Sequence, residues 1–184
     1  HSANTNQHYS KSRNMAISKA YFDQHPVFIP QAKQNNGINA DVYVAKTAKL
    51  DSAIRRHEKA YLTRLLGRGL YAEYIATPTD AKWDGLNALL YDTTLFVSPI
   101  ANYIYYWFLD ENAGDYDGSL VTTTKQENAT NHPVLHKQIK AWNAMVEMNV
   151  PILSYLQNTV ISTTAVIDKQ GWEELYTFNN SMGI

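Results

Sequence analysis

The stretch "SPIANYIYYWFLDENA", Ser98 to Ala113, decides the fold class of this chain. Nine of the ten residues from Ile100 to Leu109 are apolar or aromatic, and they cover every side of a helix. Ser98 and Pro99 are typical of a helix start, because the serine hydroxyl can cap the first turn and proline suits its first position. Asp110 and Glu111 end the apolar run at about half of the ~20 residues that a membrane-spanning helix needs. The stretch therefore predicts a short helix, residues 99–111, at the centre of a helical bundle.

A long helix is predicted before this stretch, over residues 47–76. Its inward-facing positions recur every three or four residues: Leu50, Ile54, His57, Tyr61 and Leu65. Gly67 and Gly69 weaken the second half of the helix and predict a bend or a break there. A shorter helix over residues 81–96 is predicted next, with Thr79 or Asp80 as its cap.

The last long helix is predicted over residues 131–157. Its seam repeats every seven residues and has a single polar member: Leu135, Ile139, Trp142, Val146, Asn149, Leu153 and Leu156. Pro151 lacks the amide hydrogen that a helix interior uses, so we expect a bend there unless a new segment begins at this residue. The central position of Trp142 in the seam predicts that it is a core residue.

These helices indicate a mainly α fold, a small helical bundle over residues 46–157 with extended terminal arms. Residues 1–45 are predicted to be an N-terminal arm or irregular segment, and residues 158–184 a C-terminal arm. Residues 112–130 form an insertion that is long for a compact domain. It contains the hairpin turn signal Asp117-Gly118 and the β-prone "SLVTTTK", so we predict a β-hairpin or an extended segment.

The C-terminal end, "GWEELYTFNNSMGI", carries more large apolar side chains than a free tail needs. Trp172, Leu175 and Tyr176 are spaced to share one side of a helical turn, and Phe178 follows them. A helix of this length is marginal in water by itself, so it needs a surface to pack on. Two alternatives follow: the segment folds back on its own bundle, or it docks on a neighbouring subunit or an adjoining protein.

The chain is rich in tyrosine and poor in charged residues, and its charges are unevenly distributed along the sequence. It has 13 tyrosines, and charged residues make up only 18% of the sequence. Tyrosine is favoured at interfaces, although a tyrosine-rich core would give the same composition. Residues 46–68 hold seven basic residues and two acidic ones, whereas residues 73–117 hold eight acidic residues and one basic one. The two segments could meet inside one subunit, meet across a contact between copies, or remain solvated.

No catalytic, cofactor-binding or metal-binding residue is predicted. The sequence has no cysteine, no nucleophile motif and no glycine-rich phosphate loop. His132 and His136 are four residues apart, but His132 precedes Pro133 and no nearby carboxylate completes a metal site. His57, on an apolar face, is interpreted as a core histidine. The net charge of −1 argues against a dedicated nucleic-acid binder. We therefore expect a chain that is not an enzyme.

The order of the predicted elements resembles a known family. The helix ending in "YLTRLLGRGLYAEYIA" is followed by the tryptophan-containing "AKWDGLNALLYDTTLF", by "VSPIANYIYYWFLDE", by "QENAT" and by "KAWNAMVEMN". Over residues 45–157 this pattern is similar to the head–tail connector (adaptor, or ring) proteins of tailed bacteriophages, particularly those of Bacteroidetes phages and prophages, including crAss-like phages. The two glycines in "LLGRGL" depart from the continuous helix expected there.

The resemblance implies a homo-oligomer, a ring commonly of twelve copies, in the virion beneath the portal protein, assembled in the bacterial host cytoplasm. Such a ring extends the channel through which DNA passes without sequence-specific binding, and it offers a docking surface to the tail or to a second ring protein. No cofactor and no membrane are implied. We expect core or interface positions for the large aromatic residues Tyr103, Trp107, Tyr116, Trp142, Trp172, Tyr176 and Phe178.

Two other classes of function remain open on the sequence. One is a secreted or periplasmic helical domain that binds a ligand through aromatic side chains, which the start at His1 favours. The other is a helical hydrolase with dispersed acidic residues. The mass of the native particle separates a ring subunit from a monomeric binding domain.

Overall fold

The computed structural model describes residues 16–32, 40–112, 132–163 and 165–179. Over these residues the mainly α fold class predicted from the sequence is confirmed. The helices of the described residues are α1 Ala40–Ala76, α2 Asp84–Leu90, α3 Pro99–Glu111, α4 His132–Asn158 and α5 Trp172–Tyr176. Short 3-10 turns occur at Lys19–Phe22, Pro30–Ala32, Ala81–Trp83 and Lys169–Gly171.

Several predicted features lie outside the described residues. They are the first 15 residues of the N-terminal arm, the insertion after Asn112, its Asp117-Gly118 turn, and Tyr116.

α3 is the central helix, and it packs against both α1 and α4. The hydroxyl of Ser98 accepts hydrogen bonds from the backbone N–H groups of Ile100 (3.1 Å) and Ala101 (3.4 Å), and Pro99 lies in the first turn. The buried apolar residues of α3 are Ile100, Ala101, Tyr103, Ile104, Tyr105, Phe108 and Leu109. The predicted bounds and burial of this helix are confirmed. A helix that is apolar on nearly every side needs packing partners on more than one side, and the position between α1 and α4 provides them.

α1 begins at Ala40, seven residues before its predicted start, and it is kinked at Gly67. Gly67 has φ 74° and ψ 166°, a backbone conformation that side chains with a Cβ rarely adopt. A Cβ at this position would lie 2.5 Å from the Cβ of Asp168. The predicted bend is therefore confirmed and located at Gly67. Gly69 has regular helical geometry, and a Cβ there would make only an ordinary contact with Ala165.

A C-terminal segment crosses the bundle, and we call its described residues, 162–163 and 165–179, the strap. The hydroxyl of Ser162 donates to Oε2 of Glu73 at 2.7 Å, and Gly171 lies against the backbone of Arg64. The first part of the strap therefore runs antiparallel to the second half of α1, past the kink, and the strap then continues through α5 towards α4. Glycine at position 171 is required by close approach, since a Cβ there would lie 2.6 Å from the Arg64 carbonyl oxygen.

α2 ends at Leu90, and the prediction of a helix up to residue 96 was wrong. The carboxylate of Asp92 accepts hydrogen bonds from the N–H groups of Thr94 (2.9 Å) and Leu95 (2.8 Å), which closes a turn in place of another helical turn. Phe96 has a positive φ of 51°, and an isolated bridge joins Asp92 to Val97. The predicted cap is confirmed at Asp80, whose carboxylate accepts from Lys82 N–H at the start of a 3-10 turn.

α4 is antiparallel to α3 and continues through Pro151. Its seam is buried from Trp142 to Leu156, but the prediction was wrong for Leu135, which is 50% exposed, and Ile139 is only half-buried. The reason is the length of α3. Gln138 lies beside Asp110, the penultimate residue of α3, so the first turns of α4 extend beyond it. A periodic pattern cannot show where the partner helix ends.

Both terminal segments predicted as arms contribute to the core. The buried apolar residues before α1 are Ile17, Tyr21, Phe22, Val27 and Ile29, and those after α4 are Ile161, Trp172 and Leu175. Residues 40–45, which were predicted to be irregular, belong to α1. The described segment before α1, residues 16–32, contains two short 3-10 turns. It lies against the bundle: the N–H of Ile17 donates to Oε1 of Glu58 at 3.0 Å, and Lys19 forms a 3.0 Å ion pair with Asp51. The bundle thus includes residues on both sides of the range 46–157.

Candidate interaction surfaces

An aromatic cluster occupies the place where α1, α3 and α4 meet. Tyr103 and Trp142 are brought together with ring centroids 6.1 Å apart, and Tyr106 lies 4.8 Å from Trp142. Tyr103 and Trp142 are buried, so the structure places these two predicted residues in the core. Trp107 is half-buried, and its ring stacks on that of His57 at 6.1 Å with an interplanar angle of 10°. Trp107 therefore lies at the edge of the cluster.

Charged groups border this cluster on the α1 side. Arg64 donates from Nη1 to the hydroxyl of Tyr103 at 2.5 Å and pairs through Nε with Glu174 at 2.8 Å. Arg56 pairs with Glu111, and Nε2 of His57 lies 3.1 Å from Oε1 of the same carboxylate. The basic segment thus meets the acidic segment inside one subunit at Glu111, which was one of the alternatives left open by the sequence.

The surroundings of His57 disfavour the protonated form of its imidazole. Burial lowers the pKa of His57, and the cationic side chains of Arg56 and Arg64 lower it further, whereas Glu111 opposes them. The ring is covered on one face by Trp107. Packing and one carboxylate contact account for His57, so its interpretation as a core histidine agrees with the geometry.

The strap folds back on its own bundle through two buried side chains. Trp172 donates from Nε1 to the carbonyl of Leu65 at 2.8 Å, and Leu175 is fully buried. Beyond α5 the strap continues along α4, where Trp142 donates to the carbonyl of Thr177 at 2.8 Å. Of the three residues predicted to share one side of the turn, only Trp172 and Leu175 are buried.

The exposed end of the strap carries two aromatic side chains. Tyr176 is 50% exposed and Phe178 is 53% exposed. Glu173 is also exposed and lies one turn before Tyr176 on α5. We call these three residues the strap tip. The strap therefore packs on its own bundle through Trp172 and Leu175, while Tyr176 and Phe178 remain exposed.

A second surface feature is a pocket of about 250 Å³ on α1, which the sequence did not predict. We call it the α1 pocket, and its lining residues are Arg55, Glu58, Lys59, Leu62, Tyr71, Tyr74, Ile75 and Pro78. In a straight helix Lys59 and Ile75 would be about 24 Å apart along the axis. The kink at Gly67 lets both halves of α1 line one pocket, but the bend predicted from the sequence did not show towards which side α1 turns.

Glu58 is a partly buried carboxylate in the lining of the α1 pocket. Burial raises its pKa, although its Oε1 accepts hydrogen bonds from Ile17 N–H at 3.0 Å and from the Tyr91 hydroxyl at 3.3 Å. Burial also raises the pKa of Tyr74 to about 12. Arg55 and Lys59 are exposed at the same pocket. The pocket thus joins a partly apolar interior to a cationic rim.

No cluster of three or more metal-ligating residues is found within the described part of the chain. None of the helices in that same part combines the length and the apolarity that crossing a bilayer requires. Comparison with known protein families, with curated proteins and with solved structures gives no match.

Proposed function

We propose that this chain is a structural subunit of a ring, the head–tail connector, or adaptor, that joins the portal to the tail of a tailed bacteriophage. The observation that carries the proposal is the presence of two unlike surfaces on one chain. The strap tip presents half-exposed aromatic side chains, and the α1 pocket is concave with a cationic rim. Unlike surfaces that complement each other make head-to-tail contacts, which close into rings when the rotation between copies permits.

The order of the helices supports the connector in particular. α1, the short α2 with Trp83 before it, the proline-started α3 and the long α4 follow one another in the order on which the resemblance over residues 45–157 rests. The kink at Gly67 also gives a physical role to a glycine that departs from that pattern.

The low net charge of the chain is compatible with a position in the wall of a DNA channel. The net charge is −1, and a strongly basic wall would retain DNA through its phosphates instead of letting it pass. The partners of the proposed ring are further copies of this chain, the portal protein, and a tail or second ring protein. In this role the chain is a virion component without a cofactor and without catalytic activity.

The alternative, a monomeric ligand-binding domain, receives less support from the geometry. Sites for small molecules are commonly about 300–1,000 Å³ and enclose most of the ligand. The α1 pocket has about 250 Å³ and is open at a face that carries the exposed Ile75. This volume suits one or two protein side chains better than a cofactor-sized ligand.

The native mass of the particle tests the proposal. The full chain is purified and examined by light scattering after size exclusion, by native mass spectrometry and by electron microscopy. We expect a closed ring with a central channel, in equilibrium with subunits. A chain that stays monomeric up to its solubility limit, both alone and in the presence of phage portal complexes, contradicts the proposal and favours the binding-domain alternative.

A further inference from the structure

We propose that neighbouring copies of this chain bind by seating the strap tip of one copy, with Tyr176 and Phe178 as anchors, in the α1 pocket of the next. This inference rests on the proposed ring function and specifies its repeated contact. The occupant of the α1 pocket is thus a second copy of the chain.

The anchors and the pocket agree in size and polarity. Leu62, Ile75 and Pro78 give the pocket apolar surface, and Tyr71 and Tyr74 add aromatic surface. Aromatic side chains that fill such pockets dominate many protein interfaces, because they bury a large area with few rotatable bonds. Tyr176 and Phe178 leave about half of their surface unused within their own subunit.

The charges of the two surfaces are complementary. Arg55 and Lys59 are exposed at the α1 pocket, and neither forms an ion pair with another described residue. On the strap tip, Glu173 is exposed and is separated from Tyr176 by one helical turn. Insertion of the aromatic anchors would bring Glu173 towards this cationic rim. Such pairing contributes mainly to the choice of partner and to its orientation.

The two surfaces lie on different sides of the bundle, so one chain cannot satisfy itself. The strap tip is fixed beside α4, where Asn143 exchanges hydrogen bonds of 2.9 and 3.1 Å with the backbone of Asn179. The pocket lies on the far side of α1. Lys59 is two residues before Tyr61, which faces α3, and is therefore about 200° round the helix from it. Because the pocket faces away from α3 whereas the anchors of the strap tip lie beside α4, we assign the contact to different copies.

Two variants, each defective in one half of the contact, test the inference. The tip variant is Tyr176→Ser with Phe178→Ser, and the pocket variant is Lys59→Glu with Ile75→Glu. All four residues are exposed, so both variants are expected to fold with nearly unchanged melting temperature. Matched controls are Val166→Ser, an exposed apolar residue elsewhere on the strap, and Arg68→Glu, an exposed cation of α1 outside the pocket lining.

Each variant alone is expected to lose self-association, with Kd raised about 30-fold or more, as for the loss of interface hot spots. A mixture of the two is expected to form 1:1 heterodimers and nothing larger, because each partner keeps one intact half of the contact. The control variants should assemble like the original chain. Glu173→Lys should weaken assembly, and pairing it with Lys59→Glu should recover part of the loss.

The outcomes separate this inference from the proposed ring. If the original chain assembles and the tip and pocket variants assemble equally well, the seating of the tip in the pocket is wrong while the ring stands. Loss of assembly by each variant without heterodimers in the mixture also overturns it. If the original chain is monomeric under all conditions, the ring proposal fails, and this inference fails with it.

Discussion

Replacing Asn149 by leucine tests a buried amide that connects three helices. Asn149 is fully buried on α4. Its Oδ1 accepts a hydrogen bond from the hydroxyl of Tyr61 on α1, and its Nδ2 donates to the carbonyl of Leu175 on α5 at 2.7 Å. Asn149 is the single polar member of the α4 seam, and its two hydrogen bonds link both α1 and the strap to α4.

The expected cost follows from the groups that would lose their partners. Leucine has a similar shape, so the substitution leaves the Tyr61 hydroxyl and the Leu175 carbonyl buried without a hydrogen bond. An unpaired buried polar group costs about 1–3 kcal/mol. For two such groups we expect a loss of about 2–5 kcal/mol in the free energy of unfolding, since the added apolar burial offsets a part. The melting temperature should fall by roughly 5–15 °C for a chain of this size.

A double-mutant cycle with Tyr61→Phe makes the test specific. In the original chain Tyr61→Phe should destabilise, because Asn149 Oδ1 loses its donor. In the Asn149→Leu background the same change should be neutral or stabilising, because it removes the unpaired hydroxyl. The matched control is Tyr105→Phe on α3, a buried tyrosine whose change should add independently to Asn149→Leu. Urea unfolding measures all variants. If Tyr61→Phe costs the same in both backgrounds, or if Asn149→Leu costs under about 1 kcal/mol, the reasoning is wrong.

Three further substitutions test the core, the kink and the partly buried carboxylate of Glu58. Trp142→Ala should cost about 3–5 kcal/mol in thermal unfolding, because Trp142 is buried against Tyr106 and donates to the Thr177 carbonyl; a loss below about 1 kcal/mol would show that this packing is dispensable. Gly67→Ala should lower the free energy of unfolding by about 2–4 kcal/mol, because alanine would be strained at this positive φ and its Cβ would clash with Asp168. The control Gly69→Ala should be neutral or slightly stabilising. Equal effects at the two glycines would count against the kink. Glu58→Gln should raise stability at neutral pH, because burial raises the pKa of Glu58 and the ionised carboxylate is the disfavoured form. The stability that a raised pKa contributes is present below the unfolded value of 4.5 and is lost as pH rises through the folded pKa. The stability advantage of the Gln variant should therefore vanish towards pH 4.5. An advantage that persists at that pH would contradict this origin.

Local chemistry explains which parts of the fold were predictable. Ser98 and Pro99 start α3, Asp80 caps the turn before α2, and Gly67 permits the kink. Each of these effects acts within one helical turn, so the residues that cause it are adjacent in the sequence. The turn that the Asp92 carboxylate closes is equally local. This turn forms in place of further helix, and the prediction of a helix over residues 81–96 overlooked it.

The candidate surfaces were only partly predictable, because exposure depends on which partner covers a side chain. The spacing of Trp172, Leu175 and Tyr176 is the same kind of pattern for all three, yet the bundle covers the first two and leaves Tyr176 half exposed. Leu135 and Trp142 likewise belong to one seam, and only the length of α3 separates an exposed residue from a buried one.

The sequence by itself determined the bounds and central position of α3, the approximate extents of α1 and α4, and a bend in α1 near Gly67, because these depend on neighbouring residues and on apolar periodicity. The tertiary structure alone decided three things: that the strap packs antiparallel to α1, that Asn149 joins Tyr61 to Leu175, and that the two halves of α1 form one pocket. Tyr61 and Leu175 are more than a hundred positions apart in the sequence. Contacts of that kind arise from the global arrangement that buries the most apolar surface, and no local signal in the chain encodes them.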